Sequence, residues 1–316
     1  MTKKTEINGM IFKELIKRGY SLDGNTRIWN IADSKLWYLK PEQAQAFLDL
    51  ENSQDYKKDI IQKEIDLINE NIDDMVKDLK GKYWNIVDIG CGDGKKAVIF
   101  LNKLKGDFKV RYCPIDISSY MVEKALQKIK KTDVEEVIKF QWNISDFENI
   151  SNVSNLLRYD KFKENFFLLL GNTLGNFEIN ELLYEMRSAM KGDDYLLIGN
   201  GLDNQKEEEI LEAYNNTFLD KLLVKTLLQI GFKEENLKYG ARFKNSRVEM
   251  YYTILKDCKI KFLEKEIKFN TGDQIIVGVS YKYNKNDFIS FLRLYFDQVD
   301  IKISEDGSYA LALCKK

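Results

Sequence analysis

The residues best suited to chemistry form a glycine-rich stretch that follows a hydrophobic run. Its sequence is Val87-Asp88-Ile89-Gly90-Cys91-Gly92-Asp93-Gly94, a D-x-G-x-G-x-G pattern. Glycines at this spacing permit a tight turn and let the backbone approach a ligand closely. The stretch has neither the G-x-G-x-x-G order of a dinucleotide fingerprint nor the G-K-[ST] ending of a phosphate loop. It predicts a ligand-binding turn between a strand and a helix, with a purely structural turn as the alternative.

Acidic residues follow the next two predicted strands. Asp116 comes about 20 residues after the glycine loop, where a carboxylate can accept hydrogen bonds from both ribose hydroxyls of an adenosine. Asp146 follows the third strand and can bind an adenine amino group, with Phe147 against the ring. A single Asp at a strand end is often only a helix cap. Together with the glycine loop, however, these residues predict a ligand crevice and resemble the nucleoside site of class I S-adenosylmethionine-dependent methyltransferases.

A fourth stretch, Leu170-Gly171-Asn172-Thr173-Leu174-Gly175-Asn176-Phe177, ends the fourth predicted strand. Its glycines expose backbone groups, and Asn172 and Asn176 supply side-chain amides. In methyltransferases of this class, the same edge of the sheet faces the transferred methyl group. Gly171 and Asn176 are therefore candidates for the reaction site, and a structural Asn-Gly loop is the alternative.

The composition narrows the possible chemistry. The chain has no histidine, which excludes imidazole-activated nucleophiles, histidine general bases and histidine-ligated zinc. Its four cysteines are scattered without a CxxC pair, so we expect free thiols in a reducing cytoplasm and no metal site. With 49 basic and 50 acidic residues, the net charge of −1 argues against a nucleic-acid partner. Carboxylates, phenols, amides, lysine or a cofactor must carry out the reaction.

Alternating strands and helices position these motifs. Hydrophobic runs predict five strands, at 84–89, 109–115, 137–142, 165–170 and 194–199. Helical segments between them imply a mostly parallel sheet covered on both faces. A long amphipathic helix is predicted over 55–79, and two strands around Asp306-Gly307 form an antiparallel C-terminal edge. The predicted fold class is α/β, with the Rossmann-like sheet of class I methyltransferases.

The segments before and after this region lack the regular alternation of strands and helices. The first fifty residues suggest short helices and loops, and 207–230 suggests a long helix. Three β-rich runs follow, at 247–255, 259–269 and 274–283. No apolar run approaches the roughly 20 residues of a membrane-spanning helix, so we expect no membrane association.

Taken together, the motifs resemble the histidine-specific Nα-methyltransferase family of the ergothioneine pathway over nearly the whole chain. The most specific pieces are the run from Gly171 to Phe177 and Arg247-Val248-Glu249-Met250. The other matches are Tyr20, Trp29, Trp37-Tyr38-Leu39, Lys96, 112–118, 213–216 and 279–283. The resemblance implies an S-adenosylmethionine-binding domain over 59–201 and 283–316. It also implies a smaller, discontinuous α+β substrate domain over 1–58 and 202–282.

The same resemblance implies a role for each group of residues. The cofactor S-adenosylmethionine, which leaves as S-adenosylhomocysteine, would be bound by Gly90, Gly92, Lys96, Asp116, Asp146 and Phe147. The reaction site would contain Tyr20, Gly171 and Asn176. The amino-acid substrate would contact Trp29, Tyr38, Asn176, Tyr214, Met250, Gly278 and Ser280.

One position departs from the family pattern. Family members that use histidine have a glutamate two positions before the serine that matches Ser280, and this chain has Gly278 there. Losing that carboxylate weakens recognition of an imidazole N–H, because hydrogen-bonding groups dominate this kind of discrimination. The extra space should favour a bulkier or less polar side chain. We therefore expect an α-amino acid other than histidine.

These observations predict an S-adenosylmethionine-dependent N-methyltransferase that acts on the α-amino group of a free amino acid or derivative. A peptide, a protein or another amine-bearing metabolite is the alternative acceptor. A third possibility is a non-catalytic binding protein that retains the fold. We expect a small-molecule substrate and a monomeric protein.

Overall fold

Contacts divide the chain into two units, each built from two separate stretches of sequence. One unit contains residues 1–50 and 205–281, and the other contains 51–204 and 282–316. The computed structural model describes residues 3–38, 40–52, 61–104, 106–132, 134–139, 149–204 and 206–316. The domain boundaries predicted above, after residues 58, 201 and 282, stay a prediction.

The larger unit contains a seven-stranded sheet with strand order β13-β14-β7-β6-β3-β4-β5. Its strands are β3 (Tyr83–Ile89), β4 (Lys109–Ile115), β5 (Glu136–Val137), β6 (Glu164–Leu169), β7 (Tyr195–Gly201), β13 (Gln298–Ile303) and β14 (Tyr309–Lys315). The first five are parallel to one another, and β14 pairs antiparallel with both β7 and β13. This is the predicted α/β class, with a mostly parallel sheet and an antiparallel C-terminal edge. The third strand is shorter than the predicted 137–142, of which 140–142 lie outside the described residues.

Helices connect and cover these strands. They are α3 (Gln62–Val76), α4 (Lys95–Leu104), α5 (Ser119–Ile129), α6 (Ile150–Leu157), α7 (Ile179–Ala189) and α10 (Lys285–Tyr295). The buried face of α3 follows the helical period predicted over 55–79, and residues 53–60 of that prediction lie outside the described part. Ile68 and Ile72 on this face join a core with Trp84, Phe100 and Leu168. Burial of this apolar stripe is what fixes α3 to the unit.

The smaller unit contains a five-stranded sheet with strand order β1-β2-β12-β9-β8 and a separate β10-β11 hairpin. The strands are β1 (Tyr20–Asp23), β2 (Thr26–Asn30), β8 (Leu237–Lys244), β9 (Arg247–Ile254), β10 (Cys258–Phe262), β11 (Lys265–Phe269) and β12 (Gln274–Tyr281). Its helices are α1 (Lys3–Arg18), α2 (Pro41–Glu51), α8 (Glu207–Tyr214) and α9 (Thr217–Gln229), and the last residue of α2 belongs to the larger unit. Within the sheet, β2 and β12 are parallel, and the other pairs are antiparallel.

The smaller unit differs from the sequence prediction in several places. The chain opens with a 16-residue helix, α1, instead of short helices and loops. The predicted helix over 207–230 is two helices, because Asn216 caps α9 by accepting a hydrogen bond from the N–H of Leu219 at 2.9 Å. The β-rich run predicted over 259–269 is a hairpin that turns at Leu263, a non-glycine residue with φ +53°. Strand β8 was not predicted, although it has the alternation of apolar and polar residues that favours a strand. Its apolar residues, Leu237, Tyr239, Ala241 and Phe243, pack against the core of this unit.

Among the described helices, none combines the length and the apolar character needed to cross a lipid bilayer.

Candidate active site

The glycine loop joins β3 to α4, as the sequence predicts. The N–H groups of Gly90 and Cys91 donate to the carbonyl of Ile115 at 2.8 and 3.1 Å, which fastens the loop to the end of β4. Gly90, Gly92 and Gly94 have φ values of +68°, +50° and +75°, a region that strains any residue with a side chain. A Cβ on Gly92 would meet no heavy atom within 4 Å. The loop therefore bends back on the sheet and leaves open space beside Gly92.

Asp116 lies at the carboxyl end of β4, directly beside this loop. Its carboxylate accepts the backbone N–H of Gly92 at 3.1 Å and that of Ser118 at 2.9 Å. Burial raises the pKa of Asp116 to about 6, although these backbone hydrogen bonds lower it. The carboxylate is thus ionised at neutral pH and held in a fixed direction at the edge of the glycine loop.

A second acidic residue of the motif, Asp88, has a structural role. It is only 4% exposed and accepts a hydrogen bond from the hydroxyl of Tyr112 at 2.6 Å. Burial raises the pKa of Asp88 to about 7, against the lowering effect of Tyr112. Asp88 therefore ties β3 to β4 beneath the loop.

Lys96 lies in the first turn of α4, where the positive end of the helix dipole favours anions. Its ammonium pairs with the carboxylate of Glu64 on α3 at 3.1 Å. Burial lowers the pKa of Lys96, but the charges of Glu64 and Glu51 outweigh burial, and the pKa is raised overall. Lys96 is therefore a charged group in a largely buried position.

The loop after β6 carries Gly171, Asn172 and Asn176. Asn172 has the left-handed φ of +59°, and its Oδ1 accepts the N–H of Gly201 at 2.9 Å. This contact fixes the loop to the end of β7, so the amide oxygen of Asn172 has a structural role. Asn176 ends the short 3₁₀ helix Thr173–Asn176 and is half-buried. Gly171 donates its N–H to Glu64 at 2.8 Å, so its backbone is tied to helix α3.

Two of the predicted substrate residues meet in the smaller unit. The hydroxyl of Tyr214, at the end of α8, donates to the hydroxyl of Ser280 on β12 at 2.7 Å. Tyr239 on β8 donates its hydroxyl to the backbone carbonyl of Tyr214 at 2.9 Å. The position of the Tyr214 phenol is therefore set by three elements of this unit.

Gly278 lies in β12 beside a register shift and faces Trp37 and Met250. A Cβ on Gly278 would lie 2.7 Å from Trp37 Cζ2 and 2.9 Å from Met250 Cε. The indole Nε1 of Trp37 donates to the carbonyl of Val277 at 2.8 Å, which holds the ring in place. Trp37 and Met250 occupy the volume next to Gly278, and the expectation of space for a bulkier substrate stays a prediction.

We expect Gly278→Ala to destabilise the protein by about 1–3 kcal/mol, the usual cost of overpacking a filled core. Urea unfolding of the native protein and of Gly278→Ala measures this loss of stability. Trp37→Phe in the same background should restore part of the loss, because the two residues compete for one volume. Gly192→Ala is the control, since a Cβ there meets nothing within 4 Å. Equal stability of the two alanine variants would contradict the packing described here.

The remaining predicted substrate residues are aromatic side chains of the smaller unit. Trp29 is 6% exposed and packs against Tyr20 and Phe269, with ring centroids 5.1 and 4.9 Å apart. Tyr20 itself is 49% exposed. Tyr38 contacts Phe47 edge-on at 5.3 Å. Trp29 and Tyr20 thus lie side by side, and their place in a substrate pocket stays a prediction.

The structure groups the predicted residues by unit. The smaller unit contains most of the predicted substrate residues, namely Tyr20, Trp29, Tyr38, Tyr214, Met250, Gly278 and Ser280. The larger unit contains Gly90, Gly92, Lys96, Asp116, Gly171 and Asn176. In the larger unit, all of these lie beyond the carboxyl ends of β3, β4 and β6, the usual ligand edge of a parallel sheet. The predicted adenine contacts, Asp146 and Phe147, lie outside the described residues.

Sequence reasoning missed two residues that shape these sites, Glu64 and Trp37. Glu64 falls on the apolar face of α3 together with Ile68 and Ile72, so a charge in a hydrophobic stripe was the available signal. Trp37 was noticed only as a family match. Among the described residues, no cluster of three or more acidic or cysteine side chains could hold a metal ion.

The order of the strands in the larger sheet, the glycine loop after β3 and the Asp116 carboxylate at the end of β4 are together the features of a class I methyltransferase fold. The model of a family described as histidine-specific, S-adenosylmethionine-dependent methyltransferases matches residues 43–316. The chain therefore belongs to this family and is an S-adenosylmethionine-dependent methyltransferase. No curated protein matches the sequence significantly.

Several solved structures are distantly similar. An S-adenosylmethionine-dependent methyltransferase of Clostridium acetobutylicum ATCC 824 is 15% identical, with 86% of this chain and 98% of that chain covered and a TM-score of 0.48. A protein of Pyrococcus horikoshii OT3 is 15% identical, with 87% and 98% covered and a TM-score of 0.46. A complex of DhpI with S-adenosylhomocysteine is 10% identical, with 86% and 95% covered and a TM-score of 0.40. These likenesses are too remote to carry an argument about the substrate.

Proposed function

We propose that this enzyme methylates the α-amino group of a free amino acid, or of a simple derivative, other than histidine. The observation that carries the proposal is the hydrogen bond between Tyr214 and Ser280 at 2.7 Å. It joins two residues that the family resemblance assigns to the amino-acid substrate. Hydroxyl hydrogens rotate, so Ser280 can donate to the phenol oxygen while the Tyr214 O–H donates to a carboxylate, the group that every free α-amino acid presents.

The described residues of the larger unit suit S-adenosylmethionine. The ionised carboxylate of Asp116 is a fitting acceptor for two ribose hydroxyls, and we propose that the nucleoside lies beside Gly92, where a Cβ would meet no atom within 4 Å. The ammonium of Lys96 is a fitting partner for the carboxylate at the methionine end. Asp146 and Phe147 stay proposed contacts to the adenine.

The proposed acceptor site combines groups of known chemistry. Tyr214, Tyr38 and Asn176 are proposed to bind the substrate carboxylate. Trp29, Tyr20, Met250 and Ser280 are proposed to surround the side chain. A free amino acid requires an enclosed, tyrosine-lined pocket, whereas a peptide acceptor requires an open groove.

Bound S-adenosylmethionine supplies a methyl group on a sulfonium, which an amine nitrogen attacks in line. The protein needs no covalent nucleophile, so the lack of histidine is compatible with the reaction. Its task is to hold a neutral amine at near-attack distance. We propose that the Gly171 carbonyl accepts an amine N–H and that Tyr20 helps to orient the same nitrogen.

The packing around Gly278 supports the exclusion of histidine. A glutamate at this position would have to displace the indole of Trp37. An imidazole N–H therefore lacks the carboxylate that histidine-using relatives are expected to supply. The indole of Trp37 and the thioether of Met250 are proposed to contact the substrate in its place, which would favour an apolar or aromatic side chain.

The direct test is an incubation of the purified protein with S-adenosylmethionine and the twenty amino acids, read by mass spectrometry. We expect one, two or three added methyl groups on a single amino acid other than histidine. A methylated histidine would refute the specificity argument. S-adenosylmethionine binding without any methylated amino acid would favour the larger acceptors, a peptide or an amine-bearing metabolite.

We expect Tyr214→Phe to raise the KM for the amino acid roughly 10- to 100-fold, since a hydrogen bond to a charged group contributes about 1.5–3 kcal/mol. The affinity for S-adenosylhomocysteine should stay unchanged. Initial rates at varied amino-acid concentration, together with calorimetric titration, check both statements. Tyr184→Phe is the control, because Tyr184 is 62% exposed. An unchanged KM in Tyr214→Phe would remove Tyr214 from the carboxylate site.

A further inference from the structure

A buried carboxylate with no role in the proposed chemistry lies on helix α3. Glu64 is 0% exposed and shares the apolar face of that helix with Ile68 and Ile72. An ionised carboxylate in such a place is costly unless it is paired and hydrogen-bonded. Its partners therefore indicate why the chain has a carboxylate here.

Three groups from three different elements converge on Glu64. The N–H of Gly171 donates to its two oxygens at 2.8 and 3.0 Å. The hydroxyl of Tyr309 on β14 donates at 2.7 Å, and the ammonium of Lys96 lies at 3.1 Å. Two of these partners, Lys96 and Gly171, are residues already proposed to act in the site.

The neighbouring strand ends are glycines that leave room for this cluster. A Cβ on Gly171 would collide with the ammonium of Lys96, and a Cβ on Gly199 would collide with the carboxylate of Glu64. Gly171 also has φ +74°, which any side chain would strain. The ends of β6 and β7 are thus shaped around the Glu64–Lys96 pair.

We infer that Glu64 is a positioning residue that holds the Lys96 ammonium at the carboxyl end of β6, where it binds the methionine carboxylate of the cofactor. The inference rests on the proposed role of Lys96 in cofactor binding. An ammonium has three donors, so one contact with Glu64 does not exhaust them. Glu64 acts through Lys96 and does not touch the ligand.

The charge of Glu64 also keeps Lys96 protonated. The carboxylates that face Lys96 are Glu64 on α3, Glu51 on α2 and Asp88 on β3, and their charges raise its pKa against the effect of burial. Without Glu64, the largest charge that raises the pKa of Lys96 is lost, so the lowering effect of burial makes this pKa fall. Binding of a carboxylate should then weaken as the pH rises, whereas in the native protein Lys96 stays charged over the same range.

The test compares Glu64→Gln, Lys96→Met and the double variant with two probes. S-Adenosylhomocysteine has the amino-acid end, and 5′-methylthioadenosine lacks it. We expect Glu64→Gln to weaken S-adenosylhomocysteine about 10-fold at pH 7, the loss of one hydrogen bond between charged groups, and further at pH 9. Binding of 5′-methylthioadenosine should stay within about twofold, which a general loss of structure would not allow. Glu70→Gln, an exposed position of the same helix, is the control.

The double variant separates the possible outcomes. If Glu64 acts through Lys96, the double variant binds S-adenosylhomocysteine as Lys96→Met does, and a further loss or a gain overturns the inference. The double variant contains no unpaired buried charge, so it does not depend on whether Glu64→Gln alone folds. Lys96→Met leaves the Glu64 carboxylate without its ammonium, so the comparison also requires that Lys96→Met binds 5′-methylthioadenosine as the native protein does. Native-like binding by Lys96→Met would refute the proposed cofactor site itself. A weakened Lys96→Met beside a native-like Glu64→Gln would overturn only the role of Glu64.

Discussion

Replacing Asp116 with asparagine should weaken binding of S-adenosylmethionine and of S-adenosylhomocysteine roughly 100-fold. The proposed role of Asp116 is to accept hydrogen bonds from two ribose hydroxyls, and hydrogen bonds to a charged group contribute about 1.5–3 kcal/mol each. Loss of one such bond and weakening of the other corresponds to about two decades in the dissociation constant. Calorimetric titration at pH 8 measures the change directly.

The backbone around Asp116 makes asparagine a severe substitution despite its similar shape. Both carboxylate oxygens already accept backbone N–H groups, from Gly92 and from Ser118. An asparagine must turn its NH₂ toward one of these donors, which sets donor against donor. The side chain then rotates or the loop shifts, and either change removes the fixed acceptor from the ribose.

The same carboxylate predicts how cofactor binding depends on pH. Burial raises the pKa of Asp116 to about 6, and binding requires the ionised acceptor. As the pH falls below about 6, Asp116 takes up a proton and the affinity should fall by about tenfold per pH unit. Asp116→Asn should lack this dependence, since it has no proton to gain.

Two matched variants test the assignment to Asp116. Asp107→Asn changes an exposed carboxylate just before β4 and should bind the cofactor normally. Asp88→Asn removes the neighbouring buried carboxylate, which has a pKa of about 7. This variant should still lose cofactor affinity as the pH falls below about 6. If Asp88→Asn instead lost this pH dependence of the affinity, Asp88 would be the titrating group that controls cofactor binding. Native-like affinity of Asp116→Asn would remove Asp116 from the proposed site.

Much of the larger unit could be predicted because its signals are local. The strand β3, the glycine loop and α4 follow one another within about twenty residues, so hydrophobic pattern and turn chemistry determine them together. The C-terminal strands β13 and β14 are likewise joined by a turn around Gly307, with φ +72°. The smaller unit was harder, because β1, β2 and β12 come from distant parts of the sequence and several of their positions are only partly buried.

The candidate site residues also differ in whether their signal is local in the sequence. Asp116 and the glycines were predictable, since their types and spacing carry the chemistry by themselves. Glu64 was not, because its meaning depends on Lys96 and Tyr309, which lie 32 and 245 positions away along the chain. Trp37 was not, because only the fold brings it against Gly278 on β12. A residue that acts by contact with a distant neighbour leaves no pattern in the sequence around it.

The amino ends of β6 and β7 are joined by a buried ion pair between Arg158 and Asp194. Their side chains are 7% and 1% exposed, and the two terminal guanidinium nitrogens of Arg158, Nη1 and Nη2, donate to Asp194. Asp194 also accepts the N–H of Asn165 on β6 at 2.8 Å and that of Lys191 at 2.7 Å. This cluster lies at the opposite end of the strands from Gly171, so it should control stability without controlling cofactor binding.

Asp194→Ala should lower the free energy of unfolding by about 3–5 kcal/mol, because it leaves the Arg158 charge buried without its partner. That is a large part of the 5–15 kcal/mol that typically separates folded from unfolded domains. Urea unfolding measures the loss, and Asp193→Ala, an exposed neighbour with the same charge change, should stay within about 0.5 kcal/mol of the native protein. The folded fraction of Asp194→Ala should still bind S-adenosylhomocysteine with native affinity at low temperature. A matching fall in affinity would show that the anchor at the amino ends of the strands also shapes the carboxyl-end site.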